Sequence, residues 1–178
     1  MAKEKKAVSD AFEKKEYLKE KGNIVNLSKN PRYASKSLTG RPSIDYVTDG
    51  GIPRGRLILI AGEPSAGKSS LTIQIAEGIG KRILYGDTEA TLTTDYLESL
   101  GATPENFDHF IPETTEDLSN IVRAQIPNYD VIIIDSINNS ASGEQLQKTA
   151  EEKTMANRAN VLSSQLPIWI SLANQYNT

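Results

Sequence analysis

One segment constrains the fold of this chain more than any other. Residues 62–69, Gly-Glu-Pro-Ser-Ala-Gly-Lys-Ser, fit the pattern G-x-x-x-x-G-K-[ST] at every position. The glycines let the backbone curl so that successive N–H groups point inward at phosphate oxygens, and the positive end of a following helix adds to that field. An apolar run at 56–61 precedes the segment and a helical pattern at 68–80 follows it. The sequence therefore predicts a strand, a phosphate-binding loop and a helix in that order.

The residue types in this loop predict distinct roles in binding Mg-ATP. Lys68 should reach the β- and γ-phosphates and serve catalysis, and the Ser69 hydroxyl should bind Mg²⁺. Ser70 should hydrogen-bond on the α-phosphate side. A glycine and serine turn that matches by chance is the alternative, and the flanking strand and helix argue against it. The predicted ATP-binding residues of the loop are Gly62, Glu63, Pro64, Ser65, Ala66, Gly67, Lys68, Ser69 and Ser70.

Two acidic residues follow other apolar runs of the sequence. Asp135 ends the run Val-Ile-Ile-Ile at 131–134, and a carboxylate at the tip of a parallel strand lies where such sheets bind ligands. Asp135 is therefore predicted to lie on the metal side, holding Mg²⁺ through water. Glu89 comes just after a short strand at 83–85 and is the candidate base that orients the attacking water. Alternatively, Glu89 only caps the next turn.

Strand and helix patterns alternate from residue 56 onward, which favours an α/β fold with a mostly parallel sheet flanked by helices. Pro167 falls inside the last helix and should kink it or end its first half. We divide the chain into an N-terminal helix and linker, 1–36, and a core, 37–178. The predicted strands are 56–61, 83–85, 108–111 and 131–134, and the predicted helices are 68–80, 94–100, 116–125 and 151–176.

Composition excludes several classes of site. The 178 residues fit a single domain, and a net charge of −3 provides no global positive field for nucleic acid. The absence of cysteine excludes disulfides and thiolate metal sites, and the single histidine, His109, excludes a histidine metal cluster. Because no signal peptide or membrane-length apolar run is found, we expect a soluble, cytoplasmic protein.

Several segments together resemble the RecA recombinase family. These are the lead-in to the loop, the acidic pair of Asp87 and Glu89, a helix and turn, and Asp135-Ser136. Within the family, residues 135–142 and 155–159 look most like phage UvsX-type recombinases, which would place the protein in a host cytoplasm. The lead-in comprises Ser37–Gly40, Ser43–Asp45 and Gly50–Arg56, and the helix and turn comprise Leu97–Gly101 and Pro104–Asn106.

The resemblance implies a RecA-like P-loop NTPase fold and a DNA-dependent ATPase. Such an enzyme hydrolyses Mg-ATP and forms filaments on single-stranded DNA for homologous pairing in recombination and repair. Glu89 would be the catalytic glutamate. Tyr96, seven residues further on, would stack on adenine, although half-buried helix packing explains a tyrosine there equally well.

The resemblance also implies surfaces for DNA and for a second copy of the chain. Residues 1–36 would dock on a neighbouring protomer of a homo-oligomeric filament or ring, or else form a solubilising tail. Residues 137–153 would correspond to the first DNA-binding loop. The candidate DNA-binding residues are Asn138, Asn139, Ser140, Ser142, Gly143 and Lys148.

The sequence departs from the family pattern near its end. Residues 173–175, Ala-Asn-Gln, continue a helical pattern, so we do not assign them to the fifth core strand with its sensor glutamine. We expect the core to stop short of that strand, to leave an apolar sheet edge exposed, and to bind ATP but hydrolyse it poorly. A KaiC-like or hexameric helicase ATPase, or a nucleotide-binding module with little catalysis, remains the alternative.

Overall fold

The structure is a computed structural model that describes residues 35–137 and 151–178, without the side chains of 151–158. Most of the predicted N-terminal segment, and every candidate DNA-binding residue, therefore lies outside the described residues. Across the two described ranges, no helix combines the length and apolar character that a membrane span requires.

A parallel sheet of three strands forms the centre of the core. The strands are β3 (Ile83–Asp87), β4 (Phe107–Phe110) and β5 (Val131–Asp135), and β3 lies between the other two. Every residue of β3 is buried, as expected for a strand covered on both faces. The register pairs Asp87 with Asp135, so β3 and β5 end together at one edge of the sheet, which we call the carboxyl edge.

Helices connect and cover the strands. Threonine side chains cap two of them, because Thr93 accepts from the Tyr96 N–H and Thr114 from the Asp117 N–H. Two short strands, β1 (Lys36–Ser37) and β2 (Ile52–Pro53), pair antiparallel apart from the main sheet. The helices are α1 (Pro42–Val47), α2 (Lys68–Ile79), α3 (Thr94–Ser99), α4 (Thr115–Gln125) and α5 (Glu151–Tyr176), with 3-10 turns at Pro104–Asn106 and Ile126–Asn128.

Two apolar clusters fill the space between the sheet and its helices. Along β5, Ile133 belongs to one cluster while Ile132 and Ile134 contact the other, as the alternation of side chains along a strand requires. The protein therefore has a helix–sheet–helix layering. The first cluster joins α2, α3 and the sheet through Ile73, Ala76, Ile83, Tyr85, Leu97, Ala102 and Ile133, and the second joins α4 and α5 through Leu118, Val122, Ile126 and Trp169.

The predicted strand at 56–61 is wrong. The structure assigns no strand to this segment, and Leu57, Ile58 and Leu59 are 50%, 46% and 83% exposed. An apolar run forms a strand only when a neighbouring strand satisfies its backbone groups, and no described residue pairs with it in a sheet. The strands predicted at 83–85, 108–111 and 131–134 and the helices predicted from residue 68 onward are present with small changes at their ends, while the predicted N-terminal helix lies outside the described residues.

The long C-terminal helix is confirmed. Helix α5 continues through Pro167 and includes residues 173–175, so the proline does not end the helix. Gln175 is accordingly a residue near a helix end and not part of a strand.

Candidate nucleotide site

The loop that precedes α2 has the backbone conformation that its glycines predict. Gly67 is the residue before the helix and has a φ of 84°, a left-handed conformation that costs glycine little. Ser65 also has a positive φ, 59°, and the Ala66 N–H donates to the Glu63 carbonyl at 3.2 Å. The turn ends at Lys68, where α2 begins. The first backbone N–H groups of this helix therefore have no partner within it and point towards the loop.

Lys68 folds back over the same loop. Its Nζ donates to the Glu63 carbonyl oxygen at 2.8 Å, which places the ammonium group beside the exposed backbone of 62–67. The loop thus combines main-chain donors, a helix N-terminus and a positive charge. This is the combination that binds phosphate groups.

Helix α2 runs back along the sheet, and this fixes the position of the loop. The Asp130 carboxylate accepts from the backbone N–H groups of Lys81 and Arg82 and pairs with the Arg82 side chain at 2.9 Å. The end of α2 is therefore near the start of β3 and β5. The helix has 12 residues and is about 18 Å long, close to the ~17 Å length of a five-residue strand. Its first turn consequently lies towards the carboxyl edge.

Asp135 ends β5 at that edge, as the sequence predicts. Its Oδ2 accepts a hydrogen bond from the Tyr85 hydroxyl at 2.6 Å. Burial raises the pKa of Tyr85 well above its ordinary value, and the hydrogen bond to Asp135 raises it further. The phenol therefore remains a protonated donor, and the carboxylate of Asp135 is held by a rigid, buried side chain.

Asp87 ends β3 beside it and is 1% exposed. Its carboxylate accepts from the N–H groups of Glu89, Thr91 and Leu92 at 3.1, 2.8 and 2.8 Å, and His109 Nε2 lies 3.3 Å from its Oδ2. Burial alone would raise the pKa of Asp87, but these hydrogen bonds together lower it below its usual value. Asp87 thereby fixes the loop that carries Glu89.

Hydrogen bonds from Thr88 join the segments that follow β3 and β5. The Thr88 N–H donates to the Asp135 carbonyl at 2.9 Å. Its hydroxyl donates to the Ser136 carbonyl and accepts from the Ser136 N–H, both at 2.8 Å. The segments bearing Glu89 and Asp135 are thus held as one unit.

Tyr96 is beside the first turn of α2. Its hydroxyl lies 2.8 Å from Ser70 Oγ, and its ring packs against the first apolar cluster. The structure therefore brings together two of the predicted ATP-binding residues, and the half-buried packing considered above is present. Glu89 lies on the exposed surface of the fixed loop.

The donor set also fits Mg²⁺. The Ser69 hydroxyl and the Asp135 carboxylate supply oxygen atoms, which Mg²⁺ prefers, and in nucleotide sites phosphates and water provide most of its remaining ligands. In the described part of the chain, no group of three or more His, Cys, Asp or Glu side chains could hold a metal ion.

The sequence did not reveal how the carboxyl edge is held together. The roles of Tyr85, Asp87 and Thr88 depend on the pairing of β3 with β5, which are distant in sequence. One signal was available, because a tyrosine inside a buried strand usually needs a partner for its hydroxyl. That signal predicts a hydrogen bond but does not identify Asp135 as its acceptor.

The family model of the RecA N-terminal domain matches residues 6–178. Protein RecA of Rickettsia bellii strain RML369-C is 31% identical over 182 residues, which cover 97% of this chain and 52% of the relative. Protein RecA of Marinobacter nauticus is 33% identical over 140 residues, covering 75% and 40%. A crystal structure of the RadB recombinase superposes with a TM-score of 0.57 and 25% identity, covering 78% of this chain and 65% of the other.

These likenesses agree with the fold and the loop geometry. The chain spans about half the length of the curated relatives it matches, and the RadB structure shares its RecA-like arrangement of a parallel sheet flanked by helices. The family model extends over nearly the whole sequence. This chain therefore belongs to the RecA family of recombinases, which it matches through their N-terminal domain.

Proposed function

We propose that this chain binds Mg-ATP in the loop 62–70 and is the ATPase core of a recombinase that forms filaments on single-stranded DNA for homologous pairing. The observation that carries the proposal is the left-handed turn at Gly67, which exposes the N-terminus of α2. The Asp135 carboxylate lies at the sheet edge towards which this helix N-terminus points. Relatives named Protein RecA and RadB recombinase support the recombinase part of the proposal.

Each residue then has a distinct role. Lys68 neutralises the β- and γ-phosphates, and Glu89 orients the attacking water for transfer of the terminal phosphoryl group. Tyr96 stacks on adenine. Mg²⁺, when bound by Ser69 and through water by Asp135, supplies positive charge to the phosphates. This positioning and this positive charge supply most of the reduction of the barrier to phosphoryl transfer.

Lys68→Ala tests nucleotide binding directly. We expect the affinity of this variant for a fluorescent ATP analogue to fall at least tenfold, because a hydrogen bond to a charged group contributes about 1.5–3 kcal/mol. Lys81→Ala is the matched control, since Lys81 is exposed at the start of β3, on the opposite edge of the sheet. Equal affinities for the wild type and Lys68→Ala would contradict the proposed site.

Glu89→Gln tests the proposed catalytic role. We expect turnover to fall by about 10²–10⁴-fold with unchanged nucleotide affinity, because the amide cannot take a proton from water. Single-turnover hydrolysis with protein in excess provides the measurement, because it separates the chemical step from product release. Glu98→Gln, an exposed change on α3, is the control. If the Glu89→Gln variant were as active as the wild type, Glu89 would have no catalytic role.

The proposed DNA dependence has its own measurement. Single-stranded DNA should raise ATP turnover, and its binding should weaken steeply with salt because released counterions drive it. Turnover indifferent to DNA would favour a KaiC-like regulator, and closed rings in electron micrographs would favour a helicase. Nucleotide binding without turnover under any of these conditions would favour an interaction module.

We also propose the more specific likeness to phage UvsX-type recombinases. It rests on residues 135–142 and 155–159, most of which lie outside the described residues. A bacterial chromosomal origin for the gene would contradict the phage part of this proposal.

A further inference from the structure

Tyr85 lies on the sheet face that carries the proposed metal side of the site. Side chains alternate along a strand, so Tyr85 and Asp87 share one face of β3. The register pairs these two residues with Ile133 and Asp135 of β5. Tyr85 is therefore the diagonal neighbour of Asp135, a separation that an aromatic side chain spans. Its own cluster includes Ile73 of α2, so this is the face on which the phosphate-loop helix packs.

The contact between the two residues is short and rigid. The Tyr85 hydroxyl donates to Asp135 Oδ2 at 2.6 Å, within the 2.5–2.7 Å typical of an O–H group bound to a carboxylate. Tyr85 is 3% exposed and packed in the first apolar cluster, so its ring cannot follow a rotating carboxylate. One oxygen of Asp135 is thus fixed, and this sets the direction of the other oxygen, Oδ1.

We propose that Tyr85 is a positioning residue, whose hydroxyl holds the Asp135 carboxylate in the orientation that meets Mg²⁺ or its bound water. The inference rests on the proposed function, because it requires Mg-nucleotide to bind at this edge. The competing explanation is that Tyr85 only fills the core. The ring serves both explanations, but only positioning requires the hydroxyl.

Tyr85→Phe separates the two explanations because it keeps the ring and removes the hydroxyl. Binding of a fluorescent ATP analogue is measured during a Mg²⁺ titration, and again in EDTA. The variant should need about 10–100-fold more Mg²⁺ for half-maximal enhancement of binding, as when other partners of metal ligands are removed. Its affinity in EDTA should stay within roughly twofold of the wild type, because nucleotide contacts that need no metal are unchanged.

Tyr129→Phe is the matched control. The Tyr129 hydroxyl donates to Asp108 Oδ2 at 2.8 Å, so this change also removes a phenol–carboxylate hydrogen bond. Tyr129 precedes β5 and Asp108 belongs to β4, which places the pair away from the strand ends at the carboxyl edge. The Mg²⁺ dependence of this variant should match that of the wild type.

A double-mutant cycle tests whether Tyr85 acts through Asp135. Added to Asp135→Ala, Tyr85→Phe should not raise further the Mg²⁺ concentration needed for half-maximal enhancement of binding, whereas an equal rise in both backgrounds would overturn the proposal. A Tyr85→Phe variant that needs no more Mg²⁺ than the wild type would also overturn the proposal, as would one that loses as much affinity in EDTA as in Mg²⁺. Either result would leave nucleotide binding established. A wild-type chain that binds no nucleotide would instead overturn the proposed function, and the role of Tyr85 with it.

Discussion

The Asp87 carboxylate is a buried charge at the carboxyl edge. Removing a carboxylate from water is costly unless hydrogen bonds compensate it, and here three backbone N–H groups and His109 do so. The same bonds fix the loop after β3. The residue that stabilises the edge is thus also the one that positions Glu89.

Asp87→Asn should lower the free energy of unfolding by about 2–3 kcal/mol at neutral pH, because hydrogen bonds to a charged group are replaced by weaker ones. The amide also brings its own N–H group towards backbone donors. Chemical denaturation measures the change. Asp49→Asn is the control, since that side chain is fully exposed, and it should have little effect. A loss no larger than that of the control would contradict this account of Asp87.

The acid stability of the chain should depend on the same carboxylate. The folded pKa of Asp87 lies below its ordinary value, so its contribution is complete above about pH 4, the usual pKa of aspartate, and is lost as the pH falls through the lower folded pKa. The difference in stability between the wild type and Asp87→Asn should therefore shrink in acid. Denaturation at a series of pH values measures it, and a constant difference would contradict the assignment.

The loop could be predicted at residue level because one continuous segment carries its whole chemistry. Gly67 and Lys68 are adjacent, and their spacing already implies the turn and the helix start that are observed. The hydrogen bond between Tyr85 and Asp135 joins residues 50 positions apart. It depends on β3 pairing with β5, and local periodicity does not specify which strands are neighbours.

At the scale of elements, helix α2 packs very closely against the chain segment before α1. A Cβ atom added at Gly78 would lie 1.9 Å from the Thr39 carbonyl oxygen. Thr39 is itself fixed, since its N–H and hydroxyl both donate to Asp45 Oδ1. Glycine is therefore required at position 78 for packing, although it is a poor helix former.

Gly78→Ala should destabilise the protein by about 1–3 kcal/mol, because overpacking outweighs the ~1 kcal/mol gain in helix propensity. Thermal or chemical unfolding without nucleotide measures this. Gly62→Ala is the comparison, since its added methyl group would meet only ordinary contacts at 3.9 Å. Greater stability of Gly78→Ala would show that the helix and the Thr39 segment are not packed as described.

Two elements followed from the pattern of a single segment of sequence. The continuous apolar run of β5 and the helical pattern of α2 both formed as expected. The run at 56–61 has equally strong strand character in sequence, yet it is not part of the sheet. A strand is a property of two segments, and the pattern in one of them cannot supply the partner.

At the scale of the whole molecule, the failure of the run 56–61 to join the sheet leaves the apolar residues 57–59 exposed. Three consecutive large aliphatic residues are exposed there, and strand β5 pairs with β3 but with no second strand in the part of the chain that the structure describes. Exposed apolar segments and unpaired strand edges both promote association between chains. We therefore expect this chain to associate with itself through residues 57–59.

Leu59→Lys should weaken that self-association at least tenfold, because burying a leucine contributes about 1.5–3 kcal/mol and a lysine in its place must be desolvated. Sedimentation velocity over a range of concentrations gives the dissociation constants.

Tyr46→Lys is the matched control: Tyr46 is 87% exposed on α1, so it tests whether any exposed apolar side chain drives association. Equal effects of the two changes would indicate non-specific aggregation, whereas a selective effect of Leu59→Lys would identify residues 57–59 as the contact. Because Leu59 is 83% exposed, the unfolding free energy should hardly change, and a fall in stability would mean that this segment contributes to the fold.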